Sequence, residues 1–171
     1  MEVRLRPWRI EDAPAVAEMM NNPHILKNLR DGIPYPYTRS DGETFIRGML
    51  QADPNRTFAF AVTADSRVVG SVGIFRQGNI HFRTAELGYY IAEPFWGRRI
   101  GTQAVRLACR TVLKQTDILR IFAEPFANNT GSCRVLEKSG FVLEGTMKKN
   151  AFKAGRVLDM RLYALTCGES N

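Results

Sequence analysis

The segment FWGRRIGTQA, Phe95–Ala104, has the composition of an anion-binding turn. Gly97 and Gly101 let the backbone turn tightly between a predicted strand and a predicted helix. The first turn of that helix leaves N–H groups unpaired at the positive end of its dipole, and Arg98 and Arg99 add two full charges. This combination predicts a site for a phosphate or pyrophosphate group. A glycine-containing turn with two solvated arginines would have the same sequence, so the segment alone leaves both interpretations open.

The elements that must position this turn follow from the hydrophobic pattern. Alternating or β-branched runs predict strands over residues 3–8, 58–62, 68–75, 85–91, 119–124, 141–147 and 157–165. Helical spacing of apolar residues predicts helices over 13–20, 40–50, 100–115 and 129–140, with a short helix and an aromatic loop between 24 and 38. Ser40 and Glu43 have the spacing of a capping box at the start of the second helix.

This order, β-α-α-β-β-β-α-β-α-β-β, contains no linker that would divide the chain. It predicts one mixed α/β (α+β) domain over residues 1–171, because the strands do not alternate strictly with helices as a doubly wound fold requires. The length of 171 residues is also that of about one domain.

The composition indicates a globular protein, with 44% hydrophobic and 24% charged residues. No run approaches the ~20 apolar residues of a membrane span, and the N-terminus lacks the pattern of a signal peptide. We therefore expect a cytoplasmic protein that does not contact membranes. The net charge of +7 favours polyanionic partners such as ribosomes, nucleic acid or a phosphate-bearing cofactor.

The cysteines and histidines do not have the spacing of a metal site. Cys109, Cys133 and Cys167 form no CxxC pair, and His24 and His81 are the two imidazoles available to join them. We expect no metal.

Three segments in order carry a resemblance to a known family: AELGYYI (85–91), WGRRIGTQA (96–104) and N-x-x-S-x-R-V-L-E-K-x-G-F (129–141). Together they resemble the acetyl-CoA-binding half of the GNAT superfamily of N-acetyltransferases. They are most similar to its ribosomal-protein N-terminal acetyltransferase (RimJ/RimL-type) branch. VVGSVG (68–73) and LRPWRIEDA (5–13) extend the resemblance over nearly the whole chain.

Two positions depart from the superfamily pattern. The pyrophosphate loop, similar to [QR]-x-x-G-x-[GA], falls on residues 96–101, and Arg99 stands where glycine is usual. A side chain is tolerated there if φ stays negative; the guanidinium could contact phosphate directly, and weakened or altered CoA binding is the alternative. Leu136 stands where many GNAT enzymes carry a tyrosine that protonates the CoA thiolate.

The resemblance implies a fold, a cofactor and a set of contacts. The fold would be a single GNAT domain whose mostly antiparallel sheet splays near the fourth strand and is flanked by about four helices. Acetyl-CoA would bind a core over about 85–141, with its pantetheine arm in the opening of the sheet. The residues expected to contact it are Leu87, Tyr89, Ile91, Trp96, Gly97, Arg98, Arg99, Ile100, Gly101, Thr102, Asn129, Ser132 and Lys138. Asn129 has an alternative role as a helix N-cap.

The resemblance also implies direct attack of an amine on the thioester in a ternary complex. The N–H groups of Ile91 and Ala92 are candidates for polarising the thioester carbonyl. Ser132, one helical turn after Asn129, is the candidate acid for the thiolate, and a first-turn hydroxyl without a chemical role is the alternative.

The attacking amine needs its own proton partner. Glu86 is the first candidate for this task and Asp159 the second, although each also suits a structural pairing with an arginine. His81 is interpreted as a surface histidine. A covalent role for Cys133 is disfavoured because no base has a spacing that would activate it.

The acceptor is predicted less closely than the donor. A protein N-terminus, on a ribosomal protein for example, is favoured because its α-amino group is partly neutral at pH 7. A small amine or an aminoglycoside is the alternative. From another class come a non-catalytic acyl-CoA-binding protein and an RNA-binding module, but direct nucleic-acid recognition is not expected because no basic recognition helix or RNP-like aromatic pair is present. A homodimer is compatible with the sequence.

Overall fold

The computed structural model describes residues 1–168, so the last three residues of the predicted 1–171 domain lie outside the described part. Seven strands are present in this range: β1 (Val3–Arg6), β2 (Thr57–Ala64), β3 (Arg67–Arg76), β4 (Thr84–Ile91), β5 (Arg120–Ala123), β6 (Val142–Lys153) and β7 (Arg156–Thr166). The α-helices are α1 (Ala13–Met20), α2 (Pro23–Leu26), α3 (Arg39–Gln51), α4 (Ile100–Gln115) and α5 (Thr130–Lys138).

The predicted element order is confirmed, with one difference in the helices. The described residues contain five α-helices where about four were expected. The additional helix is α2, a single turn within the stretch for which a short helix and loop were predicted. Asn22 caps it by accepting a hydrogen bond from the His24 N–H at 2.8 Å.

Helix α3 begins two residues earlier than its predicted capping box. Thr38 and Asp41 form the box: Thr38 Oγ1 accepts from the Asp41 N–H at 3.1 Å, and Asp41 Oδ2 accepts from the Thr38 N–H at 2.8 Å. The prediction of Ser40 and Glu43 was wrong because both pairs have the same spacing. Glu43 instead forms i,i+4 ion pairs with Arg39 and Arg47 on the helix surface.

The strands form one sheet in the order β1-β2-β3-β4-β5-β7-β6. All neighbouring strands are antiparallel except β4 and β5, which are parallel. The β4–β5 ladder contains three residue pairs and ends at Glu86 and Phe122, whereas β4 itself continues to Ile91. The sheet is therefore open beside the second half of its fourth strand, as predicted.

Two hydrophobic clusters cover the two faces of this sheet. The larger one packs α4 and α5 on one face through buried residues such as Ala104, Ala108 and Leu136. The smaller one packs α1 and α3 on the other face around Trp8 and Ile46. Helices α1 and α3 approach closely at Gly42, where a Cβ atom would lie 2.7 Å from the Ala13 carbonyl oxygen. No helix in residues 1–168 is long and apolar enough to cross a membrane.

Candidate active site

The open edge of β4 is the first component of the site. The Ala92 N–H donates to the Val69 carbonyl oxygen at 2.8 Å, which fixes the phase of the antiparallel β3–β4 ladder. Because paired residues alternate in such a ladder, Leu87, Tyr89 and Ile91 direct their backbone groups away from β3. Leu87 directly follows the last pair with β5, so the open edge begins at its carbonyl and continues through Tyr89 and Ile91. An extended ligand can bind here as an added strand.

This geometry corrects the predicted pair of carbonyl-polarising donors. The Ala92 N–H already binds Val69 and is directed away from the opening. The Ile91 N–H, on the opposite edge of the strand, faces the opening. The Ile91 carbonyl accepts a hydrogen bond from Trp96 Nε1 at 2.7 Å. Trp96 thereby fastens the end of β4 to the turn that follows.

The turn before α4 contains two residues in the left-handed region. Gly97 has φ 73° and Arg99 has φ 62°. The condition of a negative φ at Arg99 is not met, because the chain adopts at this position the conformation for which glycine is usual. An L-residue pays roughly 1–2 kcal/mol for it. In return the turn aligns the unpaired N–H groups of Ile100, Gly101 and Thr102 at the start of a 16-residue helix.

Cationic side chains surround this helix start. The Arg98 guanidinium lies over the Phe95 ring at 5.8 Å, and Arg67 lies over the same ring at 5.9 Å. These cation–π contacts hold both charges beside the turn. The site can therefore bind a phosphorylated ligand through backbone N–H groups and guanidinium groups together.

Helix α5 packs beside the turn. A Cβ atom at Gly101 would lie 3.5 Å from Val135 Cγ2, in ordinary van der Waals contact. Lys138 is exposed near the end of α5, and its carbonyl accepts a hydrogen bond from Arg106 of α4. Arg134, exposed one turn before Lys138 and adjacent to Val135, was not among the predicted contacts.

The start of α5 holds a cluster of hydrogen-bonding groups. Asn129 Oδ1 accepts from the Ser132 N–H at 3.2 Å, which makes Asn129 the N-cap. This bond uses the amide oxygen, and the Nδ2 group remains the donor that could bind a ligand. The Ser132 hydroxyl lies 2.7 Å from the Tyr89 hydroxyl, which reaches it from β4. Burial raises the pKa of Tyr89, so the phenol stays protonated.

Glu86 is located where β4 and β5 separate. Arg30, from the loop after α2, contacts Glu86 Oε1 through Nη2 at 2.5 Å. Burial raises the pKa of Glu86, and the charge of Arg30 opposes that shift. Glu86 is thus a carboxylate with a pKa above its ordinary range, held by an exposed arginine.

Asp159 occupies a different environment in the β6–β7 hairpin. Its carboxylate accepts from the Lys149 N–H at 2.8 Å and from Lys148 Nζ at 3.2 Å. These bonds lower the pKa of Asp159 below its ordinary value, which makes it a weaker base. The groups brought together at β4 are therefore Glu86, Tyr89 and Ser132, while Asp159 is engaged by the hairpin.

The remaining candidates have no geometry that favours a chemical role. Cys133 is a buried residue of α5, and His81 lies in an exposed single-turn helix, Asn79–His81. Within residues 1–168, no three His, Cys, Asp or Glu side chains are grouped so that they could hold a metal ion.

Residues 2–142 match the model of the acetyltransferase (GNAT) domain family. The chain belongs to the GNAT acetyltransferase family. It is accordingly an N-acetyltransferase whose acetyl donor is acetyl-CoA. The resemblance noted in the sequence is confirmed by this match, which covers most of the chain.

Individual relatives of this GNAT enzyme agree with the assignment. A probable N-acetyltransferase of Bacillus subtilis, YjcK, is 36% identical over 116 residues, an alignment that spans 68% of this chain and 64% of that protein. The ribosomal-protein-serine acetyltransferase of Escherichia coli is 27% identical over 61% of this chain and 58% of its own length. Mycobacterium smegmatis RimJ, solved in complex with CoA-disulfide, has a TM-score of 0.83 and 27% identity, covering 96% of this chain and 81% of that one.

Acetyl-CoA fits the described residues of this GNAT domain. The open edge of β4 offers N–H and C=O groups at the spacing of an amide-containing chain. The turn at 97–101 offers an anion site just beyond the end of β4, because Trp96 bonds to Ile91, the last residue of that strand. The contacts that sequence reasoning missed are those between distant segments: Arg30 with Glu86, and Tyr89 with Ser132. No local pattern encodes either pair.

Proposed function

We propose that this GNAT enzyme acetylates the α-amino group of a protein N-terminus by direct attack on the thioester in a ternary complex. The observation that carries the proposal is the state of Glu86, the carboxylate beside the opening of the sheet. Even with the pKa of Glu86 raised by burial, a carboxylate is a far weaker base than an amine, so the site offers a weak proton acceptor. A substrate amine that is substantially neutral without help is therefore favoured.

The two kinds of protein amine differ strongly in this respect. An α-amino group with a pKa of ~7.7 is roughly one-sixth neutral at pH 7, whereas a lysine side chain with a pKa of ~10.4 is neutral about 0.04% of the time. The α-amino group thus supplies several hundred times more attacking species. Glu86 then needs to orient the amine and accept one proton as the new amide forms.

The donor is held by the groups described above. Tyr89 and the N–H of Ile91 bind the pantetheine arm of acetyl-CoA. Leu87 lies at the start of the same edge, and Asn129 Nδ2 lies on the opposite side of the arm. The N–H groups of Ile100, Gly101 and Thr102, with Arg98 and Arg99, bind the diphosphate. Lys138 and Arg134 supply further positive charge along α5.

A hydroxyl pair serves the departing thiolate. The Ser132 and Tyr89 hydroxyls lie 2.7 Å apart, so that Tyr89 can donate to Ser132 Oγ while Ser132 donates a hydrogen bond to the departing thiolate, which takes its proton from water. This hydroxyl pair takes the place of the tyrosine that Leu136 replaces. A thiol with a pKa near ~8.5 is a good leaving group, so the pair assists a step that can also proceed without it.

A ribosomal protein is the acceptor class that the charge favours. The net charge of +7 attracts ribosomal particles and repels polycationic amines. The relative from Escherichia coli is named as an acetyltransferase of a ribosomal-protein serine. A cytoplasmic location follows from such an acceptor.

The test compares the two amines within one peptide series. One peptide carries a free α-amino group and trimethylated lysines, and its partner carries an acetyl-blocked α-amino group and free lysines. Mass spectrometry after incubation with acetyl-CoA is expected to find acetylation of the first peptide alone. Acetylation of the lysine peptide at an equal rate would contradict the proposal.

A further inference from the structure

A cavity of about 430 Å³ lies on the face of the sheet opposite α4 and α5, and β4 forms part of its wall. Pockets of ~300–1,000 Å³ hold small ligands, so this one has room for a complete side chain and part of its main chain. Gly88 and Tyr89 line the cavity, and Tyr89 also belongs to the open edge of β4. The cavity is therefore adjacent to the position of the thioester, on the side from which an acceptor can enter.

The floor of the cavity is created by two glycines. Gly73 of β3 and Gly88 of β4 are direct partners in the ladder, so two neighbouring strands lack a side chain at the same place. A Cβ atom at Gly88 would meet no atom within 4 Å. Glycine inside a strand often marks a place where a ligand approaches the backbone. At Gly88 it leaves open space, whereas a Cβ atom at Gly73 would lie 2.6 Å from the Phe75 ring, which covers that part of the floor.

The walls of the cavity are mostly apolar. Helix α1 contributes Val16 and Met20, and α3 contributes Phe45 and Met49. Methionine side chains adapt to ligands of different shape. The polar groups inside the lining are neutral hydroxyls, those of Tyr37, Ser71 and Tyr90, so a charged side chain entering the cavity would lose its hydration without gaining a charged partner.

The charged residues of the lining lie at the mouth and are already paired. Arg30 binds Glu86, and Lys153 Nζ donates to Asp31 Oδ1 at 2.9 Å. Both lining side chains are largely exposed, at 74% for Arg30 and 79% for Asp31. They therefore frame the entrance and leave the interior for an apolar group.

We propose that this cavity holds the side chain of the residue that carries the acceptor amine, and that this side chain is apolar and of leucine to phenylalanine size. The inference rests on the proposed α-amino acceptor and specifies its first residue. The Gly73–Gly88 floor sets the size of the group accepted. The paired ions at the mouth exclude free charge from the interior.

The test measures kcat/KM for peptides that differ in the first residue alone: Leu, Phe, Ser, Asp or Lys. Wild-type protein is expected to prefer Leu and Phe at least tenfold over the other three. Gly88→Val fills the cavity and is expected to reduce the ratio of Leu to Ser at least tenfold. Gly145→Val, another strand glycine whose added Cβ would meet no atom within 4 Å, is the matched control and leaves that ratio unchanged.

Other outcomes separate this inference from the proposed function. Equal rates across the series, or a Leu-to-Ser ratio that Gly88→Val does not alter, would overturn the cavity assignment while leaving α-amine acetylation intact. If no peptide reacts, the proposed function fails, and isopentylamine, phenethylamine, ethanolamine and 1,5-diaminopentane replace the peptides. A preference for the first two that Gly88→Val removes supports the cavity assignment, and no preference or no turnover overturns it.

Discussion

At the scale of single residues, the site departs from the family pattern at Arg99 and Leu136. Arg99 adopts φ 62° although it is not glycine. Its guanidinium adds a positive charge that glycine would lack. Leu136 is completely buried and packs in the core, so it offers no proton. In the proposed function, Arg99 adds charge at the turn, and the Tyr89 and Ser132 hydroxyls serve the thiolate in place of a tyrosine at position 136.

Arg99→Gly tests the first of these changes. The variant removes left-handed strain but makes the unfolded chain more flexible, so its stability should stay within about 1 kcal/mol of wild type. Loss of the charge should raise the Kd for acetyl-CoA about threefold to tenfold by isothermal titration, a change of roughly 0.7–1.4 kcal/mol. Lys149→Gly is the control. It also removes a cation from a residue with positive φ, but this residue is on β6 and not in the turn, so the Kd should stay unchanged. An unaltered Kd in Arg99→Gly would mean that the guanidinium does not contact phosphate.

Tyr89→Phe and Ser132→Ala test the pair of hydroxyl groups that is proposed to serve the departing thiolate. Each should lower kcat about 10- to 100-fold, and the double variant should lose little more than either single one, because residues that act as a unit are not additive. Ser139→Ala, at the other end of α5, is the control; its hydroxyl donates to the Val135 carbonyl at 2.7 Å. Steady-state kinetics with saturating acetyl-CoA gives the comparison. Full additivity of the two losses in kcat would show that the two hydroxyls do not act together.

At the scale of elements, one ion pair joins the first strand to the first helix. Arg6 at the end of β1 makes two bonds of 2.7 Å to Asp12, which precedes α1. Burial alone would raise the pKa of Asp12, but the bonds from Arg6 and from the Arg9 N–H outweigh it and leave that pKa lowered. The smaller core cluster, which forms part of the acceptor side, depends on this junction.

Asp12→Asn should therefore destabilise the fold in a pH-dependent manner. A carboxyl whose pKa is lower in the folded state stabilises the protein above its unfolded pKa of ~3.9, and that contribution disappears as the pH falls through the folded value. The loss should be about 2 kcal/mol at pH 7 and should decrease once the pH falls below the unfolded pKa of ~3.9, as at about pH 3. Urea denaturation at both pH values measures it, with the exposed neighbour Glu11→Gln as control. A loss that is the same at both pH values would show that charge is not the cause.

Local patterns predicted most of the fold and little of the catalytic geometry. The strands and long helices could be predicted because the spacing of apolar residues that defines them is visible within short stretches of sequence. The start of α3 was misplaced because Thr38-Asp41 and Ser40-Glu43 have equal spacing, and only the folded chain selects between them. The preference of the residue could not decide the sign of φ at Arg99, because the shape of the loop overrides that preference.

The contacts between residues far apart in the sequence could not be predicted, for a different reason. Arg30 and Glu86 are 56 residues apart, and Tyr89 and Ser132 are 43 apart. Both meet because β4 is central in the sheet, with different helices on its two faces. Sequence reasoning selected Glu86, Tyr89 and Ser132 as separate candidates but could not assign their partners.

At the scale of the whole molecule, β4 lies between the two faces that the proposal assigns to donor and acceptor. Helices α4 and α5 on one face contribute the anion-binding turn and Ser132, and α1 and α3 on the other face contribute the mostly apolar cavity. The ladder with β5 stops after three pairs, so the edge of β4 is open between these two faces. In the proposed reaction, the amine approaches from the cavity face and attacks a thioester held at this edge.

Backbone amide exchange along β4, measured by NMR with and without acetyl-CoA, tests this account most directly. The N–H groups of Tyr89 and Ile91 face the opening, whereas those of Gly88 and Tyr90 belong to the ladder with β3. Acetyl-CoA should therefore slow exchange at Tyr89 and Ile91 at least tenfold and leave Gly88 and Tyr90 nearly unchanged. Equal slowing at all four residues, or no change at Tyr89 and Ile91 with the protein saturated, would contradict binding of acetyl-CoA along the edge of β4.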